Sequence, residues 1–345
     1  MERVADPMTR VASASRADPQ VIAFVALVAI LAVAPFVAYP VFLMKALCFA
    51  LFACAFNLLI GYGGLVSFGH ALFFGWASYV AAHMAKVGVI SLPYPVGWRV
   101  WDWLVIPLPP LTPELAILFG TAVAALLGLV AGWLAIRRQG IYFAMITLAL
   151  AQMTYFFALQ AKFTGGEDGI QGVPRGRLFG LIDLTNELTM YAVVLVIFLA
   201  AFLLIYRIIH SPFGEVLKAI RENEARAISL GYRTDRYKLL AFVLSASLAG
   251  LGGATKAIVF QLASLTDVHW GMSGEVVLMT LLGGLGTVFG PVIGAFLLVA
   301  MESYLSQLGA WVTITQGAIF VVCVLAFRRG AIGELEAWLR RRRKG

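Results

Sequence analysis

Long apolar runs recur along nearly the whole chain, and they limit the fold more than any other feature of the sequence. An α-helix needs about 20 apolar residues to cross a bilayer core roughly 30 Å thick. Only 13% of the residues are charged and 61% are hydrophobic, so a soluble globule could not cover its own surface. We therefore predict an all-α, polytopic bundle of about ten transmembrane spans. The predicted spans are residues 21–38, 41–60, 65–85, 114–136, 141–161, 188–206, 239–262, 274–289, 291–307 and 311–327.

The positions of the basic residues predict the orientation of these spans. Most of the 26 Lys and Arg fall in segments that lie inside if the N-terminus is inside, as the positive-inside rule expects. An even number of spans then places both termini in the cytoplasm. The predicted organisation is a cytoplasmic tail at 1–20, a transmembrane domain at 21–327 with a cytoplasmic loop at 207–238, and a basic cytoplasmic tail at 328–345.

Two further expectations follow from the same distribution. Residues 32–34 give a weak cleavage-like signal, but a second apolar run follows almost at once, so we favour a retained first span over a cleaved signal peptide. The formal net charge of +8 comes from residues beside apolar runs, without the interleaved basic and aromatic pattern of a nucleic-acid surface. We expect a lipid bilayer as partner and no nucleic acid.

Residues 211–231 form the longest internal charged segment. Ser211 can cap a helix that starts at Pro212, where a missing N–H costs nothing. Asn223 is a candidate N-cap for a second, short helix, which Gly231 would end. The first helix is amphipathic, with four apolar residues on one face and four charged residues facing away from it. The apolar residues are Phe213, Val216, Leu217 and Ile220, and the charged ones are Glu215, Lys218, Arg221 and Glu222.

Two glycine-dense segments, 61–69 and 283–291, fall where one predicted span ends and the next begins. They are either tight turns or broken helices that line a transport path, since irregular backbone at membrane depth needs protein or water to satisfy it. The candidate path residues are Asn57, Gly63, Gly64, Ser67, Gly69, His70, Gly283, Gly284 and Gly286. For His70 we favour a hydrogen-bonded polar group or a helix cap over catalysis. Small-residue repeats at Gly128/Gly132, Ser245/Ala249/Gly253 and Gly286/Gly290/Gly294 predict close helix packing.

The sequence carries no recognisable catalytic or metal-binding motif. It has no phosphate-binding P-loop, no H-E-x-x-H and no G-x-S-x-G. The three cysteines, Cys48, Cys54 and Cys323, lie in apolar runs, and we interpret them as small buried hydrophobes. We predict no enzyme activity, no cofactor and no metal site. No ionisable residue falls near the middle of a predicted span, which argues against an ion-coupled carrier.

These motifs together resemble a known family. Six segments are similar to permease subunits of branched-chain amino acid ABC importers of the LivM type. They are Ser211–Glu224, Tyr237–Phe242, Ala249–Gly253, Gly61–Ala71, Thr164–Pro174 and Gly283–Gly294. The resemblance runs from about residue 40 to 328, and the two tails and the Pro/Trp-rich segment 86–113 add nothing to it.

The resemblance implies a multi-pass protein of the bacterial inner membrane that works in a larger complex. The implied partners are two ABC ATPase subunits, a second permease of the LivH type and a periplasmic substrate-binding protein, with ATP hydrolysis on the ATPases. Segment 211–231 would be the loop that couples to the ATPases; its alternative is a helix pair on the membrane surface. The implied coupling residues are Phe213, Gly214, Leu217, Ala219, Ile220, Arg221, Glu222, Asn223, Ala227 and Gly231.

We further hypothesise that the apolar face of 213–220 inserts into a groove of an ATPase. The implied substrate is a branched-chain amino acid, with urea, amides or other amino acids as alternatives, because close relatives carry these solutes. The competing class is a self-contained secondary carrier or channel, and co-purification of ATPase subunits would separate the two.

Overall fold

The computed structural model describes residues 19–86, 89–91, 105–107, 110–138 and 140–305, with isolated positions between 311 and 322. The described part is mainly helical, with six short strands. The helices are α1 (Pro19–Val33), α2 (Pro40–Asn57), α3 (His70–Lys86), α4 (Pro113–Ala135), α5 (Ile141–Gln160), α6 (Glu187–Ile209), α7 (Pro212–Glu222), α8 (Glu224–Ser229), α9 (Thr234–Phe260), α10 (Trp270–Gly283) and α11 (Gly290–Leu305). The strands are β1 (Val89–Ser91), β2 (Val105–Pro107), β3 (Ile170–Gln171), β4 (Arg177–Leu178), β5 (Ile182–Asp183) and β6 (Leu262–Ala263).

Short irregular helices and strand pairs complete the secondary structure. A π-helical turn, Leu58–Tyr62, continues α2, and 3₁₀ turns occupy Ala34–Phe36, Lys162–Thr164 and Leu265–Asp267. The strands form three antiparallel pairs, β1–β2, β3–β6 and β4–β5. The chain divides into two units at Tyr39. In the first unit the structure describes α1 and the 3₁₀ turn after it; the features below belong to the second.

Five helices in the described residues are long and apolar enough to cross a membrane. They are Pro40–Tyr62, Pro113–Ala135, Ile141–Gln160, Glu187–Ile209 and Thr234–Phe260. Helices α3, α10 and α11 are shorter, at 17, 14 and 16 residues. The predicted span at 65–85 starts later, at His70, and the one at 274–289 ends earlier, at Gly283, because glycine-rich turns occupy the difference. The total of ten spans and the position of both termini stay predictions, and the last span, 311–327, lies largely outside the described residues.

Helices α2 and α9 form the centre of the bundle. Helix α2 packs against α6, α9, α10 and α11, and α9 packs against α2, α3 and α4. Small residues allow this close approach, as predicted. A Cβ on Gly253 would overlap the Phe74 carbonyl, and a Cβ on Gly132 would lie 2.9 Å from Phe242. Backbones can approach closely only where side chains are this small, so the small-residue repeats are confirmed as packing positions.

Helices α10 and α11 form a hairpin in which backbone packs directly on backbone. A Cβ on Gly283 would overlap the Gly290 carbonyl, and a Cβ on Gly294 would overlap the Met279 carbonyl. Gly284 ends α10 with a φ of 115°, a conformation that residues with a Cβ rarely adopt. Glycine at these positions therefore holds the two helices in direct contact.

The packing between α3 and α9 provides a first prediction. Gly253→Ala should lower the free energy of unfolding by about 1–3 kcal/mol, because the added methyl meets rigid backbone. Gly274→Ala is the matched control: no atom lies within 4 Å of its Cβ position, so helix propensity should leave stability unchanged or raise it by about 1 kcal/mol. Thermal unfolding of the detergent-purified protein measures both. Equal midpoints for the two variants would contradict this packing.

Candidate functional site

The charged segment 211–231 folds as the sequence predicts. The Ser211 side chain accepts a hydrogen bond from the Gly214 N–H at the start of α7, and Pro212 is the first helical residue. The Asn223 side chain accepts one from the Arg226 N–H and so begins α8. Gly231 follows the end of α8 with a φ of 90°. Both helices, both N-caps and the terminating glycine are confirmed, because each is specified by residues next to it in the chain.

The apolar face of α7 is covered by the protein itself. Leu217 is fully buried, Ile220 is 3% exposed, and Phe213 stacks on Tyr237 with ring centroids 5.7 Å apart. Helix α7 packs against α6, α9 and the π-helical turn that continues α2. The hypothesis that this face inserts into an ATPase groove was therefore wrong. The amphipathic pattern predicts that the apolar face of α7 is covered, but it does not predict by what. In this structure, other helices of the same chain cover it.

Two other residues assigned to partner contact are also internal. Gly214 is buried and close to the end of α6, where a Cβ would overlap the carbonyls of Ile208 and Ile209. Ala227 of α8 is 3% exposed. Both residues position the helix pair on the bundle and do not present a free surface.

Arg221 connects α7 to both glycine-rich segments, although the sequence predicted that it faces away from the bundle. Its guanidinium donates a hydrogen bond to the Gly61 carbonyl. The stem of the side chain covers Gly64, where a Cβ would lie 3.0 Å from Arg221 Cγ. A Cβ on Gly286 would lie 3.4 Å from Arg221 Nη1. Glycine at these positions leaves room for the arginine to reach the backbone of the first segment beside the second.

Asn57 joins the two glycine-rich segments to each other. It lies in the last turn of α2 and is 2% exposed. Its Nδ2 donates to the Thr287 carbonyl at 2.9 Å, and its Oδ1 accepts from the Gly286 N–H at 3.0 Å. One buried side chain thus satisfies a donor and an acceptor of a loop about 230 residues away. We call the group Asn57, Gly61, Arg221, Gly286 and Thr287 the Arg221 junction.

Charge pairs hold the helix pair beside this junction. Lys238, in the second turn of α9, is 4% exposed and forms an ion pair with Glu224 of α8. Lys218 pairs with Glu215 at 2.8 Å and lies 5.9 Å from the centroid of the Tyr62 ring. The contact with Glu224 crosses from one element to another and is largely buried, so it fixes α8 against α9.

The exposed residues of α7 and α8 define the surface that remains free for a partner. Five of the predicted coupling residues are exposed, namely Ala219, Arg221, Glu222, Asn223 and Gly231, and of these Arg221 is bonded back to the bundle. The sequence did not single out Ile228 and Leu230, which are 55% and 69% exposed. The sequence signal that could have identified them is that they are large apolar residues in an otherwise charged segment.

Among the remaining candidate path residues, Gly284 contacts the Arg221 junction, because its carbonyl accepts a hydrogen bond from Thr287 Oγ1. Gly69 packs against α5: a Cβ on Gly69 would lie 2.6 Å from the Thr147 carbonyl, and the Phe68 N–H donates to Thr147 Oγ1. Ser67 is buried, and its Oγ accepts a hydrogen bond from the Gly69 N–H. Gly283 packs in the hairpin of α10 and α11, and Gly284 ends α10. Gly63 has no atom within 4 Å of its Cβ position.

His70 is the first residue of α3 and is fully buried. Its Nε2 lies 2.9 Å from Ser245 Oγ, and Ser245 Oγ donates to the Ala55 carbonyl. Because the hydroxyl proton is used there, Nε2 must be the protonated nitrogen of the ring. The rings of Phe56, Phe73 and Phe242 contact the imidazole edge-on, which gives His70 a packing role between α2, α3 and α9. In the described part of the chain, no group of three or more His, Cys, Asp or Glu is arranged to hold a metal ion.

The described helices include five that are long enough to cross a membrane, and two glycine-rich segments interrupt the helical runs. The capped helix pair α7–α8 lies outside the spans and is bonded to these segments through Arg221. These features define a multi-pass membrane protein. Comparison with known proteins identifies its family. Residues 40–327 match the family described as "Branched-chain amino acid transport system / permease component", and the chain belongs to this family, in its LivM type. No solved structure matches the chain.

Curated relatives agree with this assignment. The chain is 26% identical to the "High-affinity branched-chain amino acid transport system permease protein LivM" of Salmonella typhimurium and 25% identical to that of Escherichia coli, over 78% of this chain in both cases. It spans 64% of the length of each of these relatives. It is also 26% identical, over 63% of its length, to the "Autoinducer 2 import system permease protein LsrC" of Salmonella paratyphi B, of which 64% is covered.

Proposed function

We propose that this chain is the permease subunit of an ATP-driven importer for branched-chain amino acids in a bacterial inner membrane. It forms part of the translocation path and works with two ABC ATPase subunits, a second permease of the LivH type and a periplasmic binding protein. ATP is hydrolysed by the ATPases. The family and the LivM relatives support the transport class and the substrate.

The Arg221 junction is the observation that carries the coupling role. A helix pair that binds an ATPase must pass its displacement to the spans, and Arg221 bonds α7 to the end of α2. Asn57 extends that connection to the turn between α10 and α11. Closure of the ATPases around ATP would therefore move both glycine-rich segments together and change which side of the path is open.

The docking surface is proposed to be the exposed side of α7 and α8. Leu230 and Ile228 provide apolar anchors, and Ala219, Glu222 and Asn223 provide smaller and polar contacts around them. Apolar anchors inside a polar rim are typical of protein interfaces. This assignment replaces the face of Leu217 and Ile220, which is already covered.

The prediction that tests this surface is Leu230→Asp. Placing a charge on an exposed apolar anchor should reduce the ATPase that co-purifies with this chain by roughly tenfold, while the protein stays folded. Affinity purification of the native complex, with quantification of each subunit, measures the effect. Leu181→Asp is the matched control, since Leu181 is 88% exposed beside β5. A purified complex that contains no ATPase, or a Leu230→Asp complex with the wild-type amount, contradicts the proposal.

A different substrate is the second candidate. The LsrC relatives are permeases of an autoinducer 2 import system, and their identity to this chain is similar to that of the LivM proteins. The identity of the substrate-binding protein that co-purifies, and of the ligand it carries, distinguishes the two.

A further inference from the structure

Five charged residues gather at the end of the bundle opposite the Arg221 junction. Helix α2 ends at the junction, and Lys45 lies near its start. Helices α10 and α11 meet near the junction at the Gly284–Phe289 turn, and Glu275 and Glu302 lie near their other ends. Lys256 lies in the last turns of α9, and Asp267 follows in the 3₁₀ turn before α10. If α7 and α8 face the cytoplasm, this charge cluster faces the outside.

Four members of the cluster form two ion pairs. Lys45 pairs with Glu302 at 2.9 Å, and Lys256 pairs with Asp267. Both ammonium groups lie 5.9 Å from the centroid of the Phe49 ring, so the two pairs are neighbours across one aromatic side chain. The side chain of Asp267 is 1% exposed and that of Glu302 is 42% exposed, so the charge cluster extends from the interior to the surface of the protein.

The fifth member, Glu275, has no ion-pair partner among the residues that the structure describes. It is half-buried in the second turn of α10, and Glu302, Lys45, Lys256 and Asp267 all act electrostatically on its carboxylate. The cluster therefore holds three carboxylates and two ammonium groups. A second acceptor is also open, because Asp267 Oδ2 is buried and has no hydrogen-bond partner. A half-buried carboxylate without a direct ion-pair partner is costly unless a cation joins it.

We propose that this cluster receives the charged head group of a zwitterionic α-amino acid as it enters the permease. The α-ammonium group pairs with Glu275 and supplies the missing positive charge. The α-carboxylate pairs with Lys45, whose partner Glu302 is the most exposed member of the two ion pairs and can turn to water. The Lys256–Asp267 pair stays in place and keeps fixed charges of both signs beside the bound zwitterion.

This site rests on the proposed function and adds to it a point of contact for the substrate inside the permease. A binding protein selects its ligand before delivery, but a zwitterion leaving it would still lose hydration at the apolar bundle. A site with one free anion and one exchangeable ammonium group replaces part of that hydration. An uncharged solute such as urea has no ammonium group and would form no ion pair with Glu275.

Glu275→Gln tests the site, because it keeps the shape of the side chain and removes its charge. The experiment uses the whole transporter complex, purified through a tag on this chain and reconstituted in vesicles with its binding protein and leucine. We expect leucine uptake to fall at least about tenfold, since a charge-assisted contact is lost, while ATP hydrolysis stays within about twofold of wild type. Glu275→Asp keeps the charge and should retain most of the uptake.

Glu187→Gln is the matched control, because Glu187 is an exposed acidic residue in the first turn of α6. It should change neither uptake nor hydrolysis. Wild-type leucine uptake by Glu275→Gln would overturn the site, as would an equal loss of uptake and ATP hydrolysis. If the wild-type complex took up urea but not leucine in an ATP-driven manner, the amino acid site would be wrong. The chain would still be the permease of an ATP-driven importer. A wild-type complex without ATP-driven uptake of any solute would instead contradict the proposed function.

Discussion

Arg221→Met should separate ATP hydrolysis from transport. The substitution keeps much of the side-chain stem that covers Gly64 but removes the guanidinium that bonds to the Gly61 carbonyl. Because this bond joins α7 to the end of α2, its loss should lower the solute moved per ATP by roughly 5- to 150-fold, the range of ordinary coupling free energies. Stability should fall little, since Arg221 is exposed over much of its surface. Paired uptake and hydrolysis assays on the reconstituted complex measure the ratio.

Arg236→Met is the control for this experiment. Arg236 is an exposed arginine in the first turn of α9, so its loss changes the net charge of the same predicted loop, 207–238, by the same amount. It should leave the ratio of solute moved to ATP hydrolysed unchanged. If Arg221→Met transported as efficiently as wild type, the Arg221 junction would have no part in coupling.

Asn57→Leu should be the most damaging single change to the fold at this site. Leucine keeps the branched shape of asparagine but is larger, and it leaves the Gly286 N–H and the Thr287 carbonyl without their partner in a part-buried position. Each unsatisfied backbone group costs about 1–3 kcal/mol, so the free energy of unfolding should fall by about 2–6 kcal/mol. The turn between α10 and α11 should also become more mobile. Thermal unfolding measures the first effect, and hydrogen exchange at residues 284–289 measures the second.

Asn186→Ala provides the comparison, because Asn186 also uses its side chain to hold backbone but does so at an exposed N-cap. Its loss should cost only about 1 kcal/mol. Asn57→Asp should lie between the two, since it keeps an acceptor for Gly286 and loses the donor to Thr287. A loss of stability no greater for Asn57→Leu than for Asn186→Ala would show that the turn is held by other contacts.

Local features of this chain could be predicted from sequence, and the contacts between distant segments could not. The caps at Ser211 and Asn223 and the end of α8 at Gly231 depend on neighbouring residues, so the pattern specifies them. The glycine-rich segments were recognised as breaks for the same reason. The bond from Arg221 to Gly61 joins residues 160 positions apart, and the local pattern carries no information about it.

The two errors about α7 have a single physical origin. A helical period shows that Leu217 and Ile220 share a face, but it does not show whether the same chain or a partner covers that face. The assignment of Arg221 to the outward side followed from the same period. A long, flexible arginine at the edge of an amphipathic helix can extend back toward the bundle. Here the backbone carbonyl of Gly61 accepts a hydrogen bond from Arg221 and stabilises that conformation.

The glycine contacts between α10 and α11 have a mechanical consequence. Helices that meet through side chains can slide by re-packing rotamers, whereas these two meet at Gly283 and Gly294 with no side chain between them. We expect the hairpin to pivot as one stiff lever. Thr287 lies at one end of the hairpin, and Glu275 and Glu302 lie at the other. A small displacement at the Asn57 contact would therefore move both carboxylates together.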